Sequence, residues 1–168
     1  MSATRKSRSR HSCIRDQEVV NRFTWEIVHI NIYLMKLCQF WAKALNISGP
    51  QWMILLAISD LDEGDGVPVN AVSKMLQVDS SFVTTQSKRL EKSGLLHRNS
   101  SPTDARVVRM SLTDQSHDHL SRLAARQEAI GALAFEVFGS DELAEFFEKL
   151  SNLKSRLGKA RLKLSLDF

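Results

Sequence analysis

Residues 80–89 carry hydroxyl and basic side chains at spacings that place them together on one side of a helical wheel. These side chains are Ser80, Ser81, Thr84, Thr85, Lys88 and Arg89, the last at the margin of the face. No acid interrupts them, and Phe82, Val83 and Leu90 fall on the side expected to pack inward. Hydroxyls and bases contact phosphate oxygens, and some of them reach base edges. The segment therefore predicts a surface that binds nucleic acid.

A second group of polar side chains follows this helix. Arg106 lies at the tip of a predicted hairpin, where its guanidinium can enter a narrow minor groove of strongly negative potential. Asp104, two residues earlier, is placed to hold that guanidinium. Arg98 lies on the first strand of the hairpin and is predicted to bind a phosphate. An ordinary turn salt bridge between Asp104 and Arg106 is the alternative reading.

The distribution of charge supports a polyanion as the partner. The formal net charge is +4, and two segments concentrate the bases. Residues 1–15 have five bases and no acid, and residues 70–112 have seven bases against three acids. A localised basic patch is the electrostatic mark of a protein that binds nucleic acid.

The elements that must position these residues follow from hydrophobic periodicity and capping signals. Helical spacing runs from residue 18 to about 45, and Ser48 with Gln51 forms a capping box for the next helix. Asn70 is expected to cap a short helix, and Asp79 or Ser80 the helix that ends near Lys92. Further elements are an edge strand at 67–69, hairpin strands at 95–98 and 107–112, and two long helices after 113. The order predicts a mainly α chain with a small β-hairpin wing, a winged helix-turn-helix.

Three regions are predicted along the chain. Residues 1–17 are rich in Ser and Arg and are expected to form a disordered basic arm. Residues 48–113 form the winged helix-turn-helix, and residues 18–47 and 114–168 form a helical dimerisation region. The first helix is apolar on two sides and the last has a coiled-coil-like seam, so we expect a homodimer. Its two-fold axis predicts a palindromic DNA operator with half-site centres about 10 bp apart.

Several short motifs resemble the MarR (multiple antibiotic resistance regulator) family. They are Ser-Gly-Pro-Gln-Trp-Met-Ile-Leu at 48–55, Leu-Glu-Lys-Ser-Gly-Leu-Leu at 90–96, Asp-Ala-Arg at 104–106 and Ser-Leu-Thr at 111–113. The resemblance covers about residues 18–165. It implies bacterial homodimers, most of them repressors released from DNA by small, often aromatic, anions. Many members have Arg where this chain has Thr85, so the operator sequence does not carry over.

The same resemblance implies a ligand site where helices one, two and five meet the DNA-binding lobe. The candidate lining residues are aromatic or polar: Trp25, His29, Tyr33, Trp41 and Trp52. Core packing is the alternative for each aromatic side chain. An aromatic carboxylate or its CoA thioester is the expected effector.

Other classes of protein fit the sequence poorly. It has no Gly-rich phosphate loop, no metal-spaced His/Cys set and no evident catalytic pair, so we expect neither an enzyme nor a bound cofactor or metal. No apolar run is long enough to cross a membrane, and no signal peptide is evident, so a cytoplasmic location is expected.

Two alternatives stay open within the same fold. The first is a thiol-based redox sensor that uses Cys13 or Cys38, because peroxide-sensing relatives place a reactive Cys near the start of the first helix. Tyr33 is the only tyrosine of this chain, whereas such sites use more. The second is a winged helix that contacts only proteins, which predicts no salt-dependent affinity for DNA.

Overall fold

The computed structural model describes the backbone of residues 3–167 and the side chains of residues 17–165. Over these residues the elements are, in chain order, α1 (Ala3–Ala44), α2 (Gly49–Leu61), β1 (Val67–Pro68), α3 (Val69–Leu76), α4 (Ser80–Lys92), β2 (Leu96–Ser100), β3 (Val108–Leu112), α5 (Asp114–Phe135) and α6 (Ser140–Asp167). The prediction of a mainly helical chain with a small β-hairpin is confirmed. Within the described part, no helix combines the length and the apolar character that a membrane span needs.

The chain divides into two compact units, residues 1–120 and 121–168. In the unit of residues 1–120, α1 packs against α2, while Leu45, Ile47 and Leu120 lie against the same apolar core as the short helices. The first helix and the start of α5 therefore belong to the same unit as the hairpin.

The first helix begins earlier than the sequence predicts. The backbone is helical from Ala3, whereas residues 1–17 were expected to be a disordered arm. This segment has neither Gly nor Pro, and extending an existing helix avoids the cost of a new nucleus. The side chains of residues 1–16, that of Cys13 among them, lie outside the described residues.

The start of α2 confirms the predicted capping box. Ser48 N–H donates to Gln51 Oε1 at 2.9 Å, and Gln51 N–H donates to Ser48 Oγ at 3.4 Å. The predicted cap of the next helix, Asn70, is wrong, because α3 begins at Val69 with Pro68 as its N-cap and without a side-chain cap bond. Pro68 pairs with β3, so the chain turns directly from strand into helix.

A three-stranded antiparallel sheet closes one side of the core, in the order β1-β3-β2. Leu96 is paired with Leu112 and Ser100 with Val108, which fixes the hairpin register. Buried apolar side chains from the helices and the sheet fill the space between them, chiefly Ile54, Leu55, Ile58, Val67, Val72, Val83, Leu90, Leu96 and Met110. This core sets the position of α4 relative to the hairpin.

The second unit, residues 121–168, consists of the rest of α5 and all of α6. Phe138 and Phe146 stack where the chain turns between the two helices, with ring centroids 5.3 Å apart. Much of the apolar surface of α6 is exposed, including Phe147, Leu157 and Leu164. A helix with an exposed apolar face often packs against another protein surface.

Candidate nucleic-acid interface

One face of α4 is anchored in the core and the other is presented outward. Val83, Ser87 and Leu90 are fully buried. The opposite face carries the residues that the sequence singled out: Ser80, Ser81, Thr85, Lys88 and Arg89 are exposed, and Thr84 is half-buried. Phe82 was expected to pack inward, but it is 37% exposed and lies beside a cavity between α1 and α2.

The N-terminus of α4 is held by hydrogen bonds that fix its hydroxyl groups. Asp79 is the N-cap, and its Oδ1 accepts from Ser81 N–H at 2.7 Å. Ser80 Oγ lies 2.9 Å from Ser73 Oγ, and Thr85 Oγ1 donates to the Ser81 carbonyl at 2.9 Å. The free backbone N–H groups and the helix dipole make this end attractive to a phosphate.

The cap is expected to be lost at low pH. The hydrogen bonds from Ser81 lower the pKa of Asp79 below its ordinary value. A lowered carboxylate pKa stabilises the fold above the unfolded-state pKa, and that stabilisation disappears as the pH falls through the folded-state value. We therefore expect Asp79→Ala to lower Tm at pH 7, and the difference from the unmodified chain to shrink below about pH 4. Thermal unfolding at pH 7 and pH 3 measures this, and a constant difference would contradict it.

The hairpin tip holds Arg106 as the sequence suggested. Asp104 Oδ1 accepts from Arg106 N–H at 3.0 Å and from Arg106 Nε at 3.2 Å. The Arg106 side chain is 92% exposed, so the pair orients the guanidinium without shielding it from solvent. An exposed pair of this kind adds little to stability. Its geometric effect is to fix the direction of a cation.

The two predicted groups meet at a cleft of about 320 Å³. Ser80 and Thr84 of α4 line one side, Asn70 of α3 lies beside them, and Arg106 with Val107 closes the other side. The cleft therefore joins a helix N-terminus, two hydroxyls and a guanidinium. Such a set of groups accommodates an oxyanion.

Arg98 occupies a different environment from Arg106. It is half-buried on β2, and its Nε is buried without a hydrogen-bond partner among the described residues. A buried polar atom of this kind is destabilising unless something supplies an acceptor. The structure does not bring Arg98 into the cleft lined by Arg106.

Arg109 has a positioning role that the sequence analysis missed. Its Nε and Nη2 donate to the carbonyls of Asp65 and Gly66, both at 2.7 Å. Gly66 has a φ of 73°, and a Cβ there would lie 3.2 Å from the Met110 carbonyl. Arg109 thus fastens the loop before β1 to the hairpin. Its partners are more than 40 residues away in the chain, so no local pattern points to them.

The five predicted ligand-binding residues differ in exposure. Trp52 is fully buried and Trp41 is 7% exposed. Trp25, His29 and Tyr33 are exposed on α1, with the rings of Trp25 and His29 6.1 Å apart and Lys36 Nζ 5.1 Å from the centre of the Tyr33 ring.

Cys38 is half-buried, and burial raises the pKa of its thiol. A raised pKa reduces the thiolate that reacts with peroxides. Among the residues the structure describes, no group of three or more His, Cys, Asp or Glu side chains could hold a metal ion.

The short helix α3, the outward-facing helix α4 and the β2–β3 hairpin define a winged helix-turn-helix domain. Residues 47–108 match the model of the MarR family.

The chain is also similar in sequence or in fold to several known proteins. The chain is 39% identical over 70 residues, 42% of its length, to the organic hydroperoxide resistance transcriptional regulator of Bacillus subtilis, and the match spans 46% of that relative. The chain thus spans about half the length of this curated relative. The solved structure of reduced AbfR bound to DNA has a TM-score of 0.62 at 21% identity, covering 88% of this chain and 99% of that one. The PcaV transcriptional regulator of Streptomyces coelicolor, solved with its natural ligand, has a TM-score of 0.58 at 22% identity, covering 76% and 90%.

Proposed function

We propose that this protein is a DNA-binding transcriptional regulator that acts as a repressor. The observation that carries the proposal is the cleft where Ser80 and Thr84 face Arg106. In this arrangement α4 enters the major groove, and its lysine and arginine contact phosphates. Arg106 reaches the adjacent minor groove. The solved relative AbfR, which is bound to DNA, supports the proposal.

The exposed acid-free face of α4 supports DNA over a protein as the partner. Lys88 and Arg89 lie on it, and the Asp79 carboxylate at its end is occupied by capping the helix. Arg98 is part of the same proposal as a phosphate ligand, and because its Nε is buried, the terminal nitrogens of its guanidinium would have to make that contact. This leaves Asp104 as the residue that orients Arg106 rather than one that touches DNA.

The active species in this proposal is a cytoplasmic homodimer. Apolar side chains of α1 are exposed in the single chain, including Phe23, Ile30 and Leu34, and so are Leu157 and Leu164 of α6. A second copy would bury both helices around a two-fold axis. The symmetry then matches a palindromic operator.

A small-molecule effector is part of the same proposal. PcaV, a relative of similar fold, was solved with its natural ligand, which supports an effector of this kind. An aromatic carboxylate or its CoA thioester would stack on the exposed rings of Trp25 and Tyr33. Lys36 supplies a cation beside Tyr33 for the carboxylate. His29 is the nearest polar partner to Trp25.

A salt titration tests the DNA-binding function. Affinity for a 30-base-pair duplex is measured by fluorescence anisotropy between 50 and 300 mM salt, and then for duplexes selected from a random pool. We expect log affinity to fall steeply with log salt, and the selected duplexes to contain inverted repeats with centres about 10 bp apart. A flat salt response contradicts DNA binding and favours a winged helix that contacts only proteins. Selected sites without two-fold symmetry contradict the dimeric arrangement.

A redox mechanism is distinguished by the thiols. DNA affinity is measured with and without peroxide, for the unmodified protein and for protein alkylated at Cys13 and Cys38. If the effector is a small molecule, alkylation should not change the response of the DNA affinity to peroxide. If alkylation abolishes a peroxide-induced release from DNA, the protein is a redox sensor.

A further inference from the structure

Three sulfur-containing side chains line one cavity in the unit formed by residues 1–120. Met35 and Cys38 lie one turn apart on α1, and Met53 faces them from α2. The Cys38 thiol donates to Met53 Sδ across 3.5 Å. The cavity has a volume of about 400 Å³. The remaining lining is mostly apolar, with Pro50, Leu76, Val78 and Phe82.

This set of donors selects a narrow class of ion. Thiolate and thioether sulfurs are soft ligands that favour Cu(I), whereas Mg²⁺, Ca²⁺ and Mn²⁺ prefer oxygen. An ion shared by two sulfurs requires them to lie within two metal–sulfur bonds, each about 2.3 Å for a metal thiolate. The 3.5 Å between Cys38 Sγ and Met53 Sδ meets this condition. Met35 is long and flexible enough to bring a third sulfur to the same ion.

Charge balance favours a monovalent ion over a divalent one. Binding replaces the thiol proton of Cys38 with Cu(I), the proton passes to solvent, and the resulting thiolate–Cu(I) unit has no net charge. Zn²⁺ on the same thiolate would leave one positive charge in apolar surroundings, which is costly. None of the residues that line the cavity is an acid that could neutralise it.

We propose that Cys38, Met53 and Met35 form a binding site for one Cu(I) ion per chain. The inference goes beyond DNA binding and does not depend on it. The test accordingly contains no DNA.

The binding experiment uses the full chain carrying Cys13→Ser, so that Cys38 is the remaining thiol. Cu(I) is kept reduced with ascorbate under anaerobic conditions, and bathocuproine disulfonate competes for it. We expect one Cu(I) per chain in this background, and none after Cys38→Ser is added. If the Cys13→Ser protein does not compete with bathocuproine disulfonate for Cu(I), the proposal is overturned. Displacement of the bound Cu(I) by equimolar Zn²⁺ overturns it as well.

Substitution of the methionines tests whether several sulfurs bind Cu(I) or whether the Cys38 thiol binds it alone. Removing even a residue that only supports a metal ligand costs 10–100-fold in affinity, so Met53→Leu should weaken Cu(I) binding by at least about tenfold. Met75→Leu is the matched control, because Met75 is exposed and does not line the cavity. Leucine conserves the volume of methionine, and circular dichroism checks that both variants are folded. Equal affinities for the two variants overturn the proposal, since Cys38 would then bind alone.

Discussion

Arg106→Ala should reduce the salt dependence of DNA binding without changing stability. A homodimer loses one minor-groove cation from each wing, so the slope of log affinity against log salt should become shallower by about two. The Arg106 side chain is 92% exposed and forms an ion pair with Asp104, so Tm should stay within about a degree or two of its original value, as expected for a surface site. Anisotropy titrations at several salt concentrations measure the slope.

Two further variants make the Arg106 result specific. Arg126→Ala removes an exposed base of α5 outside the proposed interface and should leave the slope as it was. Asp104→Ala leaves the guanidinium in place but frees it, so affinity should fall while the slope changes little. If Arg106→Ala and Arg126→Ala behave alike, the hairpin does not contact DNA and α4 acts alone.

Trp52→Ala should unfold the first unit far more readily than any exposed substitution. The Trp52 side chain is fully buried, and removing a buried tryptophan costs about 3–5 kcal/mol through lost apolar burial and the cavity left behind. Urea unfolding at one fixed protein concentration measures the free energy of unfolding, because a dimer's stability depends on concentration.

Trp52→Phe is the matched control, since phenylalanine keeps much of the apolar contact and should cost clearly less than alanine. The comparison tests whether the stabilisation comes from the volume that Trp52 fills, because the cost of truncating a buried side chain rises with the volume removed. Similar stabilities for the three proteins would contradict the buried position.

The sequence predicted those parts of the fold that depend on neighbouring residues. The capping box of Ser48 and Gln51 and the cap at Asp79 are local hydrogen bonds, and both appear as expected. The predicted hairpin strands at 95–98 and 107–112 appear as β2 (Leu96–Ser100) and β3 (Val108–Leu112). These signals need only a few consecutive residues, so one sequence is sufficient to find them.

The features that the sequence missed depend on distant partners. Nothing local indicates that Arg109 binds the carbonyls of Asp65 and Gly66, or that Cys38 approaches Met53. The aromatic residues on α1 and α2 look alike in sequence, yet tertiary packing buries Trp41 and Trp52 and leaves Trp25 exposed. The cleft at Arg106 was likewise predicted as two separate groups, because only the fold brings them together.

The shortness of β1 has a consequence for solubility. β1 is an edge strand of the sheet and consists of Val67 and Pro68. Proline has no backbone N–H that could pair with another strand. Arg109 occupies the carbonyls of the residues immediately before the strand. A foreign chain would therefore find few backbone groups available for sheet extension on this side, which protects the protein from edge-to-edge aggregation.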